Sequence, residues 1–400
     1  MKKKEISINH VVRKLGISRY SVRYLIERGE ITPSGKDGKM FLNKDVERLQ
    51  CRIKNSQSKY NPVKANFTFI DLFAGIGGFR IAFSRQGGLC KFTSEYDNLC
   101  KTNYTINFGD DNFYGDIRLF TGDEIDDKKL KGSIPDHDIL TAGFPCQPFS
   151  LAGVSKKNSL GRAHGFECET QGTLFFDILR ILKVKRPPMF LLENVKNLIS
   201  HDKGNTFRVI KGALDEAGYW IEDEIIDAQR WVPQHRERIF IVGFSKNIFN
   251  KKPEFPWPRP IADKPVLLGN ILEKNPDKKY ILTDHLWKYL KDYKKKHEEQ
   301  GNGFGYGICT DKSVARTLSA RYHKDGSEIL IDRGPRSNPR RLTPYECASL
   351  MGFPEDFILP VSDSRAYQQF GNSVVVPVVE AIAKEMVNIL RSLPRKSRKN

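Results

Sequence analysis

Short continuous runs of apolar residues recur through residues 67–244, separated by stretches with helical spacing. Runs of strand length occupy residues 67–73, 138–143, 190–195 and 239–243. Each run predicts a strand, and their alternation with helical stretches predicts an open α/β sheet. In such sheets, ligands bind at the carboxyl ends of the strands, so the residues that follow each run are candidates for chemistry.

Residues 1–50 have a different pattern. Apolar residues at helical spacing predict one helix over residues 7–15, ended by Gly16, and a second over residues 19–28. The outer face of the second helix carries Arg19, Arg23 and Arg28. Two short helices around a glycine turn are typical of a helix-turn-helix, whose second helix enters the major groove of DNA.

The pattern continues past these helices. Breaks at Pro33, Gly35 and Gly38 predict a small hairpin wing over residues 31–41, followed by a short helix over residues 43–49. The order resembles the winged helix-turn-helix of MerR-like and excisionase-like regulators, which implies that Arg19 and Arg23 bind DNA. A basic helical packing module is the alternative. Polar residues 51–66 predict a linker.

Composition narrows the class of protein. The 400 residues are 39% hydrophobic and 28% charged, and mean hydropathy is −0.49, which is typical of a chain with two or three folded domains. No apolar run approaches the roughly 18 residues of a membrane helix, and the basic N-terminus lacks the apolar run of a secretory signal. Seven cysteines without C-x-x-C spacing argue against disulfides and zinc fingers. We expect a cytoplasmic protein without a metal.

The net charge of +18 is unevenly distributed. Residues 1–66 carry 16 basic against 6 acidic residues, residues 67–243 carry 22 against 24, and residues 244–400 carry 28 against 18. A near-neutral centre between basic flanks favours a chemical core whose neighbours bind a polyanion such as nucleic acid. A lysine-rich solvated surface is the alternative that charge alone leaves open.

A glycine-rich turn follows the first core strand. Residues 74–78 read Ala-Gly-Ile-Gly-Gly, and Glu95 ends a second strand about twenty residues later. Glycines allow the backbone to approach a ligand at a helix N-terminus, and an acidic residue at that distance suits ribose hydroxyls. With Asp116 and Ile117 further on, the pattern favours an adenosine-containing cofactor. The turn lacks a Walker lysine, which disfavours ATP hydrolysis.

Three later segments carry reactive side chains. Cys146 lies between Pro145 and Pro148 after a core strand, Glu193 ends another strand, and residues 234–238 place paired arginines before a further one. A thiol, a carboxyl group and guanidinium groups at one sheet edge are typical of covalent catalysis.

These motifs together resemble those of the bacterial DNA cytosine-C5 methyltransferases. The resemblance rests on residues 71–78 (DLFAGIGG), 143–148 (GFPCQP), 193–195 (ENV), 234–238 (QHRER), 341–347 (RLTPYEC) and 369–374 (QFGNSV), which occur in the family's order. It implies a Rossmann-like S-adenosylmethionine-dependent methyltransferase fold of class α/β, with a smaller target-recognition domain. The basic N-terminal module is an addition that many members lack.

The resemblance also implies a mechanism. A target cytosine is flipped out of the duplex, Cys146 adds to C6 as a thiolate, Glu193 donates a proton to N3, and Arg238 holds O2 with Arg236 close by. The cofactor contacts that it implies are Phe73, Ala74, Gly75, Gly77, Gly78, Glu95, Tyr96, Asp116, Ile117, Pro145, Leu174, Asn372, Ser373 and Val374, with the adenine sandwiched between Phe73 and Tyr96.

The resemblance further assigns the remaining segments. The catalytic domain covers residues 67–244, the target-recognition domain 245–338, the return to the catalytic domain 339–392, and a basic tail 393–400. Residues 147–171 are the expected mobile loop, in which Gln171, with Cys168 nearby, replaces an arginine common in the family. Residues 315–330 resemble the recognition segment of enzymes acting on CCNGG or CCWGG, and Arg316 and Arg321 suit guanine edges.

The leading interpretation is a restriction-modification methyltransferase that methylates the inner cytosine of a short palindrome in double-stranded DNA. It would work as a monomer beside a cognate restriction endonuclease, and its N-terminal module would repress transcription, with a dimer on the operator as one form. A tRNA cytosine methyltransferase and a non-catalytic DNA-binding regulator are the alternatives.

Overall fold

A computed structural model describes residues 5–34, 39–145, 174–260, 264–301 and 305–394. Its strands are β1 Glu5–Ser7, β2 Met40–Leu42, β3 Phe67–Leu72, β4 Gly88–Ser94, β5 Phe113–Tyr114, β6 Ile139–Gly143, β7 Met189–Val195, β8 Tyr219–Asp227, β9 Glu237–Ser245, β10 Ile308–Cys309, β11 Leu330–Ile331 and β12 Arg340–Arg341. Its helices are α1 Ile8–Leu15, α2 Arg19–Glu27, α3 Asn43–Lys59, α4 Gly78–Arg85, α5 Asn98–Phe108, α6 Arg118–Thr121, α7 Asp127–Ser133, α8 Leu174–Lys185, α9 Asn205–Glu216, α10 Asp284–Glu299, α11 Pro344–Leu350, α12 Asp363–Asn372 and α13 Val376–Ser392. Short 3₁₀ turns lie at Lys196–Leu198, His201–Gly204, Ala228–Arg230, Leu268–Asn270, Lys278–Tyr280 and Ala320–His323.

The centre of the fold is a seven-stranded mixed sheet in the order β5-β4-β3-β6-β7-β9-β8. Every neighbouring pair from β5 to β7 is parallel, whereas β9 runs antiparallel to both β7 and β8. The reversal brings the start of β9 to the edge at which the parallel strands end, since Val195 pairs with Arg238. This confirms the predicted α/β methyltransferase-type sheet.

Both faces of the sheet are buried, which explains why its strands are continuously apolar. Along β3, Phe69 belongs to one hydrophobic cluster and Ile70 to the other. The first cluster includes residues of α4 and α13, and the second includes residues of α8 and α9. Burial on both sides fixes the strand ends that carry the site.

The target-recognition segment has little regular structure of its own. It contains the helix α10 and the two-residue strands β10 and β11, and Leu318 and Tyr322 join the hydrophobic cluster that covers one face of the central sheet. Strand β12 lies just beyond the expected boundary at residue 338 and pairs with β11. The segment is therefore packed tightly on the catalytic domain. The basic run near residue 291 lies on α10, in which only Leu290 is buried.

The helices predicted near the N-terminus are present. Ser7 caps α1, Gly16 ends it with a left-handed φ of 67°, and Ser18 caps α2. The expected wing differs, because β2 pairs with β1, and among the described residues of the 31–41 segment one bridge joins Pro33 to Phe41.

Two expectations for this region are wrong. Residues 51–59 continue α3 instead of forming a linker, because Ile53 and Ser56 are buried and Ser56 donates a hydrogen bond to the Asn107 carbonyl of α5. Arg28 does not lie on an outer face. Its side chain is 6% exposed and pairs with Asp363 of the catalytic domain.

No helix among the described residues is long and apolar enough to span a membrane. Those residues also hold no group of three or more histidine, cysteine or acidic side chains placed to bind a metal ion.

Candidate active site

The glycine turn after β3 is held open by its neighbours. Phe73, Gly75 and Gly77 have positive φ values of 55°, 55° and 89°, and Gly77 forms the N-cap of α4. Glu95, just past β4, accepts hydrogen bonds from the backbone N–H groups of Gly75 and Asp97, each at 2.8 Å. The carboxylate that the sequence assigned to ribose therefore also fixes the turn.

The three glycines of the turn have two different roles. A side chain at Gly77 would collide with the Phe108 ring, and one at Gly78 would lie 2.6 Å from Val374. A Cβ at Gly75 would have no atom within 4 Å. The last two glycines therefore serve helix packing, and the first leaves open space beside the backbone for a ligand.

A cleft of about 340 Å³ opens at this edge of the sheet. The predicted residues that line it are Phe73, Ala74, Gly75, Gly78, Glu193, Asn372, Ser373 and Val374. They come from three distant motifs, so the structure brings the glycine turn, the carboxyl group and the C-terminal motif to one cleft. Gly77 does not line the cleft.

The other predicted cofactor residues are not among those that line the cleft. Tyr96 is 76% exposed, Ile117 is buried, and Asp116 forms a 2.6 Å ion pair with Arg118 that lowers the pKa of the Asp116 carboxyl. Pro145 is exposed, and Leu174 begins α8. The Tyr96 ring is exposed, so the stacking of an adenine between Phe73 and Tyr96 stays a prediction.

The fit of S-adenosylmethionine depends on the glycine turn at the cleft and on Glu95 behind it. The N-terminus of α4 suits an anionic group such as a carboxylate. Glu95 is fixed by two N–H donors and keeps lone pairs for hydroxyl groups. Burial raises the pKa of Glu95, and its backbone hydrogen bonds oppose that rise. The residues therefore fit such a cofactor.

Glu193, which lines the cleft, forms an ion pair with Arg238. Arg238 Nε lies 3.1 Å from Glu193 Oε1, and the two side chains are 12% and 17% exposed for Glu193 and Arg238 respectively. Burial raises the pKa of Glu193, while Arg238 and Arg236 partly offset this effect. A carboxyl group with a raised pKa keeps its proton to higher pH, which suits a proton donor.

Gly143 makes room for this pair. It is directly opposite Glu193 in the β6–β7 register, and a Cβ there would lie 3.4 Å from Glu193 Oε2. A Cβ at this position would touch the carboxyl group at an ordinary van der Waals distance, and glycine leaves this space open.

Arg236 occupies a different position from Arg238. Its guanidinium is buried and donates to the carbonyls of Leu318, Gly371 and Ser373 at 2.8, 3.0 and 2.8 Å. Burial lowers the pKa of Arg236 to about 9. These contacts join the recognition segment to the end of α12, so Arg236 positions two walls of the cleft.

Cys146, Cys168, Gln171 and the expected loop over residues 147–171 lie outside the described residues. The backbone before Cys146 is nonetheless held: Asn194, which is buried, donates to the Phe144 carbonyl at 2.9 Å. Asn194 belongs to the 193–195 motif, but no role was predicted for it. The signal in the sequence was its position directly after Glu193.

The recognition segment also contributes to the cleft. Arg321 and His323 line it from the 320–323 turn, and Arg365 and Gln368 line it from α12. Arg321 was predicted at base edges, and the other three were not predicted because their positions depend on how the turn packs on α12. Arg316 is exposed and lies apart from the cleft-lining residues.

Comparison with known proteins agrees with this arrangement. Residues 67–388 match the family model described as C-5 cytosine-specific DNA methylase. The chain is 52% identical over 364 residues to the DNA-cytosine methyltransferase of Escherichia coli strain K12, covering 80% of this chain and 77% of that protein. It is 46% identical to the type II methyltransferase M.SsoII of Shigella sonnei, covering 94% and 93%.

A crystal structure of a Spodoptera frugiperda DNMT2 variant shares the fold, with a TM-score of 0.61 and 20% identity over 81% of this chain and 99% of that one. The family implies a methyl donor of the S-adenosylmethionine type and a DNA substrate. The chain belongs to the C-5 cytosine-specific DNA methyltransferases.

Proposed function

We propose that this enzyme transfers a methyl group from S-adenosylmethionine to C5 of a flipped cytosine in a short palindromic DNA site. It would protect host DNA from a cognate restriction endonuclease and act as a monomer on its site. The observation that carries this proposal is the largely buried pair of Arg238 with the cleft-lining Glu193, 3.1 Å apart. The resemblance between residues 315–330 and known recognition segments favours the inner cytosine of CCNGG or CCWGG.

Each reactive side chain has one role in the proposal. The Cys146 thiolate adds to C6 of the cytosine, which makes C5 nucleophilic. Glu193 donates its proton to N3, and Arg238 holds O2 and stabilises the charge. S-adenosylmethionine, when bound, supplies the electrophilic methyl group. Loss of the C5 proton to a base and expulsion of Cys146 restore the aromatic ring.

Target recognition would come from the basic C-terminal segment. Arg316 is exposed, and Arg321 lies where the recognition segment meets the cleft. A bidentate arginine contact to guanine contributes about 1–3 kcal/mol of discrimination. Arg321 would therefore act near the flipped base, and Arg316 further along the site.

We expect bisulfite sequencing of a plasmid propagated with this enzyme, in a host without cytosine methylation, to show protected cytosines in one palindrome. Arg316→Ala is expected to lose one base contact, so cytosines in the palindrome should be protected about tenfold less well, or other sites should become protected. Lys288→Ala, on the exposed face of α10, is the control. Unprotected DNA together with methylated tRNA would favour the tRNA alternative.

A second proposal concerns the N-terminal module, which would bind an operator and repress transcription. Helices α1 and α2 are joined by a turn at Gly16. Arg23 lies on α2, and its side chain is 72% exposed. Arg19, on the same helix, contacts Asn9 at 2.5 Å. Both arginines can reach a DNA backbone or base edge from this helix.

We expect the double variant Arg19→Ala/Arg23→Ala to lose footprint protection upstream of the enzyme's own gene, with methylation unchanged. Point variants are preferable to a deletion of residues 1–66, because α3 packs against the catalytic domain. Arg13→Ala, also exposed and on the neighbouring helix, should keep the footprint. Full protection by the double variant would contradict the repressor role.

A further inference from the structure

The N-terminal module, residues 5–60, contacts two of the helices that line the cleft, α5 and α12. We propose that the module positions these helices, and that Arg28 is a positioning residue for the cofactor site. The inference rests on the proposed S-adenosylmethionine site. It gives the module a role in methyl-donor binding that is independent of any operator.

Arg28 is the first link between the module and the cleft. It follows α2 as its C-cap, and its guanidinium donates to the Leu359 carbonyl at 2.7 Å and to the Val361 carbonyl. It also forms a 2.9 Å ion pair with Asp363. Carbonyl groups that lose a buried donor are left unsatisfied, so the segment before α12 depends on this side chain.

Helix α12 carries this contact to the cleft. Asp363 is its first residue, while Gln369 and Asn372 near its other end line the cleft, with Ser373 next. A helix of ten residues is about 15 Å long and moves as a unit. A shift at Asp363 is therefore transmitted to residues beside the cofactor.

A buried chain of hydrogen bonds forms the second link. Ser56 donates to the Asn107 carbonyl at 3.2 Å, and Asn107 Nδ2 donates to the Asn103 carbonyl at 2.8 Å. Asn103 Nδ2 then donates to Gln369 Oε1 at 2.9 Å. All four side chains are buried, and the last one lines the cleft.

The same amide of Asn107 joins the two links. Its Nδ2 donates to the Ile358 carbonyl and its Oδ1 accepts from the Ile358 N–H, both at 2.9 Å. Ile106 and Ile358 are part of the module's own hydrophobic cluster. The α5 end and the segment before α12 are thus packed into the module, and they move with it.

The test measures binding of S-adenosylhomocysteine to the full chain by calorimetry, without DNA. Arg28→Ala is expected to weaken binding by about fivefold to tenfold, within the usual range of coupling between sites. Its kcat at saturating methyl donor and DNA should change less than about twofold. Arg28→Lys, which keeps the charge near Asp363, should recover part of the affinity. Arg48→Ala, exposed on α3, is the matched control.

Hydrogen exchange of the unmodified enzyme supplies a second readout that needs no variant. S-adenosylhomocysteine should slow exchange in residues 19–28 and 43–59 as well as around the glycine turn. Unchanged affinity in Arg28→Ala would overturn the proposal; if that variant does not fold, unchanged exchange in the module would do so. Failure of the unmodified enzyme to bind S-adenosylhomocysteine would instead overturn the proposed function.

Discussion

Cys146→Ser is expected to abolish methyl transfer, with a loss of activity on the order of 10⁴-fold or more, because a serine hydroxyl is a far weaker nucleophile toward C6 than a thiolate. The second expected result is loss of the covalent complex. When S-adenosylmethionine is present and 5-fluorocytosine stands at the target position, methyl transfer leaves fluorine on C5 in place of the proton, so Cys146 cannot be expelled and a protein–DNA adduct should be trapped. A denaturing gel and mass spectrometry of the peptide over residues 140–150 measure it.

Cys51→Ser is the matched control, since Cys51 is an exposed cysteine on α3. It should form the adduct at the normal rate. Among the described residues, Cys100 is a thiol that lines the cleft, but burial raises the pKa of this thiol well above its usual value, which disfavours the reactive thiolate. An adduct that persists in Cys146→Ser would move the nucleophile to another cysteine.

Glu193→Gln is expected to lower kcat by about 10²- to 10⁴-fold, the usual contribution of a positioned general acid. Glutamine keeps the shape of the side chain and can still contact Arg238, but it has no carboxyl proton to donate to N3. The affinity for S-adenosylhomocysteine should stay close to normal, because Glu95 and the glycine turn are unchanged. Single-turnover methylation with both substrates saturating measures the chemical step.

The pH profile distinguishes a proton donor from a merely structural Glu193. Burial raises the pKa of this carboxyl, so the protonated form persists to higher pH than in an exposed glutamate, and the rate should fall as pH rises through that pKa. Glu193→Gln should lose this fall. Glu224 lies on β8 of the same sheet and forms a 2.7 Å ion pair with Arg259. Glu224→Gln removes this ion pair and should keep the fall in rate. If Glu193→Gln still shows the fall in rate at higher pH, that fall belongs to the titration of another group.

Much of the catalytic domain could be predicted from the sequence because its signals are local. A strand buried on both faces must be continuously apolar, so β3, β6 and β7 were found within a residue or two of their ends. Capping residues placed α1 and α2 equally well. The reversed direction of β9 was not predicted, since an apolar run does not record which neighbour it pairs with or in which sense.

The errors near the N-terminus have a common cause. Residues 51–59 are mostly polar, yet the helix continues because Ile53 is buried and Ser56 and Gln57 donate to carbonyls at the end of α5. Arg28 was expected to face solvent because arginine on a short helix usually does. Both depend on partners about 50 to 330 residues away in sequence, which periodicity cannot reveal.

The residues of the site divide in the same way. Chemistry that depends on residue type, such as a carboxyl group ending β7 or a glycine turn before α4, was determined by the sequence itself and its family motifs. Only the tertiary structure separated Arg236, which binds three backbone carbonyls, from Arg238, which pairs with Glu193. It also brought the recognition segment and α12 to the cleft. Side-chain identity is written locally, whereas burial and hydrogen-bond partners are set by segments that meet only in the folded chain.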